Sequence, residues 1–395
     1  MMQSAYIAWR YLTHYKARSA TLIACVTVIA VLPLALEVLR DASQRQLMAR
    51  AVATPLVVGA RGSAMDLVMN SLYFTRARPG RVSMQLVEAV EDSGLAAAIP
   101  LHVRFAAQGQ PIVGTTLDYF EFRGLVPASG RSFALLGETV LGAGAARALG
   151  LGPGDSLLSS PDTVFDLSGV YPLKMRVAGV LAPSHTPDDR AVFVDVKTAW
   201  VIQCLVHGHQ DLADTKDPTL VMQREGKSTV ASPKLYQYNE ITPANIESFH
   251  FHGDPARYPL TAVLALPRDD KAATLFRGRY LESSSPHWVV RPRDTVAQLL
   301  ESIFRVKRLL QGVMGIVGGA TALALVLVFA LSLRLRQREL QTLFKLGAAR
   351  GTVARMVLAE IAIIVAASAA LCTGLLWVLS TQSERLLQLL VLSQA

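Results

Sequence analysis

The chain reads as three apolar runs set into polar sequence, with a long stretch of mixed strand and helix periods between the first two. Ser19 to Leu36, "SATLIACVTVIAVLPLAL", is free of charge over 18 residues, enough for a membrane helix. Pro33 near its outer end is tolerated in such a helix. A cleaved signal sequence is the alternative, but "EVLRDASQRQLMARA" continues as a helix leaving the membrane, and no small-x-small site follows. Leu309 to Leu333 is uncharged over 25 residues, long enough to span with tilt. Its Gly315, Gly318 and Gly319 form a small-residue face suited to close packing against a second copy. The third run, Ile361 to Thr381, is entered from Glu360. The tail after it is too short to cross again and reads as an amphipathic surface helix.

Between the first two runs the periods change. "TPLVVGARG" alternates into a glycine turn, and "SMQLVEAVEDSG" has the helical period and stops at Gly94. "AAIPLHVRFAAQGQPIVGTT" predicts a hairpin around Gln108-Gly109-Gln110. "GETVLGAGAARALGLGPGDSL" predicts strand, helix, turn and strand, while "RAVFVDVKTAWVI" predicts a strand running into a helix. "MRVAGVLAP", "YPLTAVLALP" and "HWVVRPR" predict further strands. From 203 to 258 periodicity weakens and His, Asn, Asp and Pro rise, which marks an insertion or second lobe. "DTVAQLLESIFRVKRLLQG" is a helix leading into the second apolar run, so helical stalks flank the region on both sides.

Charge orients the chain. Residues 1 to 18 hold Arg10, Lys16 and Arg18 and no acid. The loop 334–355 holds Arg334, Arg336, Arg338, Lys345, Arg350 and Arg355 against Glu339. Both segments are cytoplasmic by the positive-inside rule, which puts the large domain on the far side. The net charge of +9 is then a topology signal, and nucleic acid is not needed to explain it. Cys204 is the one cysteine outside the apolar runs, so the domain has no internal disulfide. No GxxxxGK[ST] phosphate loop and no nucleophile elbow is present, so ATP is not hydrolysed on this chain.

The basic segment "RQRELQTLFKLGAARGTVARMVLAE" resembles the cytoplasmic signature of the permease family that includes MacB, FtsX and LolC/LolE. "GETVLGAGAARALGLGPGDSL" with "VAGVLAP" is similar to that family's periplasmic core domain, and "AWRYLTHYKARS" to its amphipathic N-terminal helix. The family usually has four spans, and the fourth is missing here. The resemblance implies a coupling helix that docks on a cytoplasmic ABC ATPase carrying ATP and Mg. Glu339, Leu340, Leu343, Phe344, Lys345, Leu346, Gly347, Ala348 and Arg350 are its candidate contacts. The residues agree: Leu340, Leu343, Phe344 and Leu346 make an apolar strip that fits a groove, and Gly347 permits a tight turn.

"HGHQD" and "FHFHGD" repeat one form, giving His207, His209, Asp211, His250, His252 and Asp254 as candidate metal ligands. In a strand, residues two apart share a face, so each pair presents two imidazoles to an ion such as zinc. The bland alternative is hydrogen-bonding or partly buried histidine. His185 with Asp188 and Asp189 is a third candidate, while His102 and His287 are isolated.

The expected fold is thus membrane α-helical, with three spans and a large α+β periplasmic domain on helical stalks. The expected boundaries are a cytoplasmic amphipathic helix 1–18, spans at 19–36, 309–333 and 361–381, stalk and core domain 37–308, coupling region 334–360 and tail 382–395. The expected function is a homodimeric inner-membrane permease subunit, in contact with lipid and with a periplasmic binding or adaptor protein as a further partner. The substrates open to it are a metal-bearing molecule, a siderophore, a lipoprotein or a hydrophobic compound. A membrane-anchored periplasmic metal sensor or metalloenzyme is the competing reading.

Overall fold

The computed structural model describes residues 2–160, 172–208, 221–225, 228–231, 238–281, 285–335, 337, 341–342, 345 and 349–392. The chain divides into two compact units, Met1–Gln46 with Leu300–Ala395, and Leu47–Leu299. The second unit is shorter at both ends than the expected 37–308, because turns of both stalk helices group with the first unit.

The chain opens with helices α1 (Met2–His14) and α2 (Lys16–Val52). There follow β1 (Leu56–Ala60), α3 (Ala64–Tyr73), β2 (Val82–Ser83), α4 (Gln85–Asp92), β3 (Ala96–Ala107), β4 (Gln110–Thr115), α5 (Leu117–Arg123) and β5 (Pro127–Gly130). Next come β6 (Glu138–Leu141), α6 (Ala143–Leu149), β7 (Ser156–Leu158), β8 (Lys174–Leu181), β9 (Val192–Asp195) and α7 (Val196–Ile202). The chain continues through β10 (Val206–Gly208), β11 (Val221–Glu225), β12 (Ser228–Ala231), β13 (Phe249–Phe251), β14 (Pro259–Leu260), β15 (Ala262–Pro267), α8 (Asp270–Arg279) and β16 (His287–Val290). It ends with α9 (Pro292–Leu335) and α10 (Arg350–Leu392).

In the first unit, Lys16–Ala35 and Arg350–Thr381 are long and apolar enough to cross a membrane. The stretch 309–333, expected as a further span, is helical throughout within α9, and many of its side chains lie outside the described residues. The tail expected as a separate surface helix instead prolongs α10 without a break to Leu392. No helix-breaking residue stands between Thr381 and Leu392 to interrupt it. Leu12 and Leu22 bury against Ile364, and the Ser368 hydroxyl donates to Ile23 O at 3.3 Å. Tyr6, Ile7 and Trp9 of α1 are exposed, while Ala8 and Leu12 are buried.

The second unit is built on a mixed sheet in the order β16-β1-β15-β3-β4-β9-β6-β8-β5, with β7 beside β8. β4–β9 and β6–β8 pair in parallel, and the other neighbours along the sheet are antiparallel. The β3–β4 hairpin turns through Gln108 (φ 47) and Gly109 (φ 86), both left-handed, which matches the strand twist. β1 is apolar in succession because both faces are covered: Leu56, Val57 and Val58 are all buried.

On one face Leu56, Val58, Leu86, Val90, Trp200 and Phe276 share a single apolar core with Val192 and Val194 of β9. Between those two valines, Phe193 points to the other face. There its ring meets Phe74, Tyr119 and Phe120 at centroid distances of 6.3, 5.7 and 5.2 Å. The described parts of 203–258 belong to the same unit. β10 pairs with β13, and Val206, Leu205 and Phe249 join the main core. Gly208 is required there, since a Cβ would lie 2.6 Å from the Phe249 ring.

Phe193→Ala removes the centre of the aromatic cluster. It is expected to cost about 3–5 kcal/mol, read as a lowered midpoint in denaturant unfolding of the domain. A change under about 1 kcal/mol would contradict this packing role.

Candidate functional site: a buried arginine at the end of the first stalk

The C-terminal turn of α2 delivers Arg50 into the second unit. The helix stops at Val52 because Thr54 precedes Pro55, and the residue before proline avoids helical geometry. Thr54 Oγ1 donates back to Arg50 O at 3.0 Å, satisfying one of the carbonyls left open at the helix end.

The Arg50 side chain is 5% exposed. Its Nη1 donates to Asp188 Oδ2 at 2.7 Å and its Nη2 to Asp188 Oδ1 at 2.8 Å, the two-pronged geometry that makes guanidinium–carboxylate pairs strong and directional. Nη2 also reaches the Tyr119 hydroxyl at 2.8 Å, and Nε donates to Leu72 O. The guanidinium lies 5.5 Å from the centre of the Phe74 ring. One side chain therefore ties α2 to the end of α3, to α5 and to the 3-10 turn Pro187–Arg190.

Each partner is itself fixed. Thr186 caps that turn, and its hydroxyl donates to Asp188 Oδ2 at 2.8 Å. The Tyr119 hydroxyl donates to Asp188 Oδ1 at 2.8 Å. Arg123, one helical turn after Tyr119, donates to Thr54 Oγ1 at 2.7 Å and lies over the Tyr119 ring at 5.7 Å. Beneath the turn, Gly142 leaves no room for a side chain, because a Cβ would lie 2.2 Å from Asp188 O.

Burial pulls against every charge here, and the partners decide the outcome. For Asp188, burial alone would raise the carboxyl. The Arg50 charge, with hydrogen bonds from Arg50, Tyr119 and Thr186, holds it below the ordinary carboxylate range. For Arg50, burial opposes the charge, and the oxygens of Tyr119 and Asp188 more than restore it. Burial drives the Tyr119 phenol upward and pushes Tyr73, which donates to Leu47 O at 2.6 Å, up to about 12. Both phenols are neutral donors at physiological pH. Burial, then the like charge of Arg50, lowers Arg123.

The sequence-derived candidates fall out differently. Lys345 is helical and Arg350 opens α10. Glu339, Leu340, Leu343, Phe344, Leu346, Gly347 and Ala348 lie outside the described residues, as do His209 and Asp211. Gly315, Gly318 and Gly319 are exposed, with open space where a Cβ would stand. The two histidine stretches do meet, since His207 is the cross-strand partner of His250. The His250 and His252 rings lie 4.8 Å apart, and His250 Nδ1 donates to Ser248 O at 3.0 Å. Asp254 instead caps the 3-10 turn Pro255–Arg257.

The third metal candidate is overturned. Asp188 is taken up by Arg50, while Asp189 accepts from Ser184 N, Ser184 Oγ and His185 N at 2.8, 2.8 and 2.9 Å. Among the described residues no three His, Cys, Asp or Glu are placed to hold a metal ion. Arg50 was not legible as a site, because its partners stand 69 and 138 residues away. The available hints were the Tyr119–Arg123 spacing and the adjacent Asp188-Asp189.

The fold is a mixed α+β domain entered by a helix long and apolar enough to cross a membrane. The model of the MacB-like periplasmic core domain matches residues 21–229, and the chain belongs to that family. It is similar to the periplasmic region of MacB from Actinobacillus actinomycetemcomitans, at 12% identity over 63% of this chain and 92% of that one, with a TM-score of 0.34. It is also similar to the extracellular domain of the noncanonic ABC-type transporter YknZ from Gram-positive bacteria, at 11% identity over 60% and 98%, TM-score 0.31. A permease-protein domain from Porphyromonas gingivalis matches at 11% identity over 60% and 86%, TM-score 0.26. Comparison with curated proteins gives no match.

Arg50→Ala strands a buried carboxylate and is expected to cost about 3–5 kcal/mol of domain stability. Arg50→Met with Asp188→Leu should recover much of that loss. The Asp188 contribution has a defined sign: a carboxyl held below its unfolded value stabilises fully above that value, and the gain is lost as pH falls through the lowered one. Unfolding measured against pH should show wild type losing stability below about pH 4, with that part of the acid dependence absent in the double variant. Equal acid sensitivity in both would refute the assignment.

Proposed function

We propose that this chain is the membrane subunit of a MacB-like ABC transporter in a bacterial inner membrane, driven by a cytoplasmic ATPase partner that holds ATP and Mg. It has three spans, at 19–36, 309–333 and 361–381, and works as a homodimer. The coupling segment 334–360 receives motion from the ATPase, with Leu340, Leu343, Phe344, Leu346 and Gly347 at the contact. The observation that carries this reading is the unbroken helix α2, which bears both the apolar stretch and Arg50. A shift of that helix end cannot be absorbed locally. Separating Arg50 from Asp188 leaves buried charges unpaired, at a cost of several kcal/mol. The shift therefore moves the turn 187–190, α5 and the end of α3 together. The output is a rearrangement of the periplasmic domain that exports, extracts or releases a substrate.

Leu343→Asp and Gly347→Trp are each expected to abolish ATP-driven transport, or substrate-stimulated ATP hydrolysis, while the chain still inserts. Leu343→Asp should also reduce co-purification of the ATPase by tenfold or more, about 1.4 kcal/mol. Undiminished co-purification and transport in both would remove the coupling assignment. The complex with its ATPase should have the mass of two copies of each subunit, and a single copy of this chain would contradict the homodimer.

The ladder pairing of His207 with His250 supports a second reading, in which the domain handles a transition metal or a metal-bearing cargo. His250 Nδ1 donates to Ser248 O, the kind of outer hydrogen bond that orients a metal-ligating imidazole. Zinc should then bind the purified protein at neutral pH and release below about pH 6, as imidazole protonates. No calorimetric signal at neutral pH, or a signal unchanged in His250→Ala/His252→Ala, would end this reading.

A further inference from the structure

Helices α4 and α8 lie on the same side of the sheet. Both pack against β3 and β15, and Leu86, Val87 and Val90 of α4 share one core with Phe276 of α8. Their outward faces carry opposite charge. α4 presents Gln85, Glu88, Ala89 and Asp92, all exposed, with Glu91 on its flank and no base in its last turn. α8 presents Lys271, Leu275 and Arg279, each four residues from the next along one face and all exposed. Its Asp270 lies off that face, about 100° round the helix from Lys271.

Neither face is compensated within one chain. Glu88 and Asp92 stand one turn apart, where like charges repel, and Asp92 is at the negative end of the helix dipole, where a base is favoured. Among the described residues, Glu88, Glu91, Asp92, Lys271 and Arg279 make no ion pair. Between the two bases of α8, Leu275 is left 53% exposed. On α4 the small Ala89 takes the corresponding place beside the acids. An apolar knob between bases and a small residue beside acids are complementary in charge and in size. The two faces are neighbours in one layer, so a second copy related by a two-fold axis brings each onto the other.

We propose that this surface joins two copies of the chain, with α4 of each docking antiparallel on α8 of the other. Leu275 rests on the partner's Ala89, Lys271 faces the partner's Asp92, and Arg279 faces the partner's Glu88. Such charges fix partner and register more than affinity. Helices of 8 and 10 residues make a small contact beside the interfaces of free-standing dimers, so this one forms where the assembled complex already holds two copies together. The inference rests on the proposed homodimer and names the surface it uses in this domain.

The test is disulfide formation in the full chain assembled with its ATPase, in a Cys204→Ser background. Copies carrying Ala89→Cys are co-expressed with differently tagged copies carrying Leu275→Cys, so that only a bond between copies links the two tags. The mixed copies should cross-link, and each variant expressed alone should cross-link roughly tenfold less. Glu88→Lys/Asp92→Lys on the Ala89→Cys copies should lower the mixed yield by about tenfold, and Lys271→Glu/Arg279→Glu on the Leu275→Cys copies should recover it. No cross-link, or a yield that the reversed charges leave unchanged, overturns this inference. The mass of the complex separates it from the homodimer reading: two copies without the cross-link remove only this surface, whereas a single copy removes both. If the α4 variant instead strips a different chain from the complex, that chain occupies the face and the proposal falls.

Discussion

The Arg50–Asp188 pair is the constraint from which the rest of the domain's organisation follows. A buried carboxylate costs too much to stand alone, so everything near it serves to satisfy it. Arg50 gives it a charge with two bonds, Tyr119 and Thr186 give it donors, and the Phe74 ring and Leu72 O occupy what remains of the guanidinium. These groups come from α2, α3, α5 and the turn after β8. Gly142 lets the backbone of that turn approach at the distance the pair needs. Replacing such a pair by apolar side chains often preserves stability. Its value here lies in direction: the bonds fix where the end of α2 sits on the domain.

The proposed transmission of motion to the domain needs stiff parts and few soft joints. α2 is a single helix of 37 residues, and its last turn is held by bonds that resist sliding. The aromatic cluster around Phe193 stands directly behind Tyr119, so a displaced α5 presses on the sheet and not on solvent. The other face of β9 belongs to the main core through Val192 and Val194. One strand thus joins the clamp side of the sheet to its opposite side.

Much of this fold is written locally. The Gln108-Gly109 turn, the strand-helix-strand run from Glu138 to Leu158, the β9–α7 junction and the apolar stretches at 19–36 and 361–381 each carry a short-range signal of period, turn residue or charge. The short helices α3, α5 and α8 were harder to see. Ser63 and Asp269 cap α3 and α8 by accepting from Asp66 N and Ala272 N, a weak cue inside polar sequence. The clamp was invisible for another reason. Arg50 looked like one more basic residue of a stalk, and only the folded sheet brings Asp188 to it. The His207–His250 pairing lay between: each motif was legible, while the register that joins them is a property of the ladder.

The most direct measurement is hydrogen–deuterium exchange of residues 184–191 in the assembled complex, with and without ATP. If α2 drives the domain through Arg50, exchange in this turn should change on ATP binding in wild type. It should not change in Arg50→Met/Asp188→Leu, which keeps a packed site without the directed bonds. An ATP response of the same size in both proteins would contradict the account, since the domain would then be moved by some route that does not pass through Arg50.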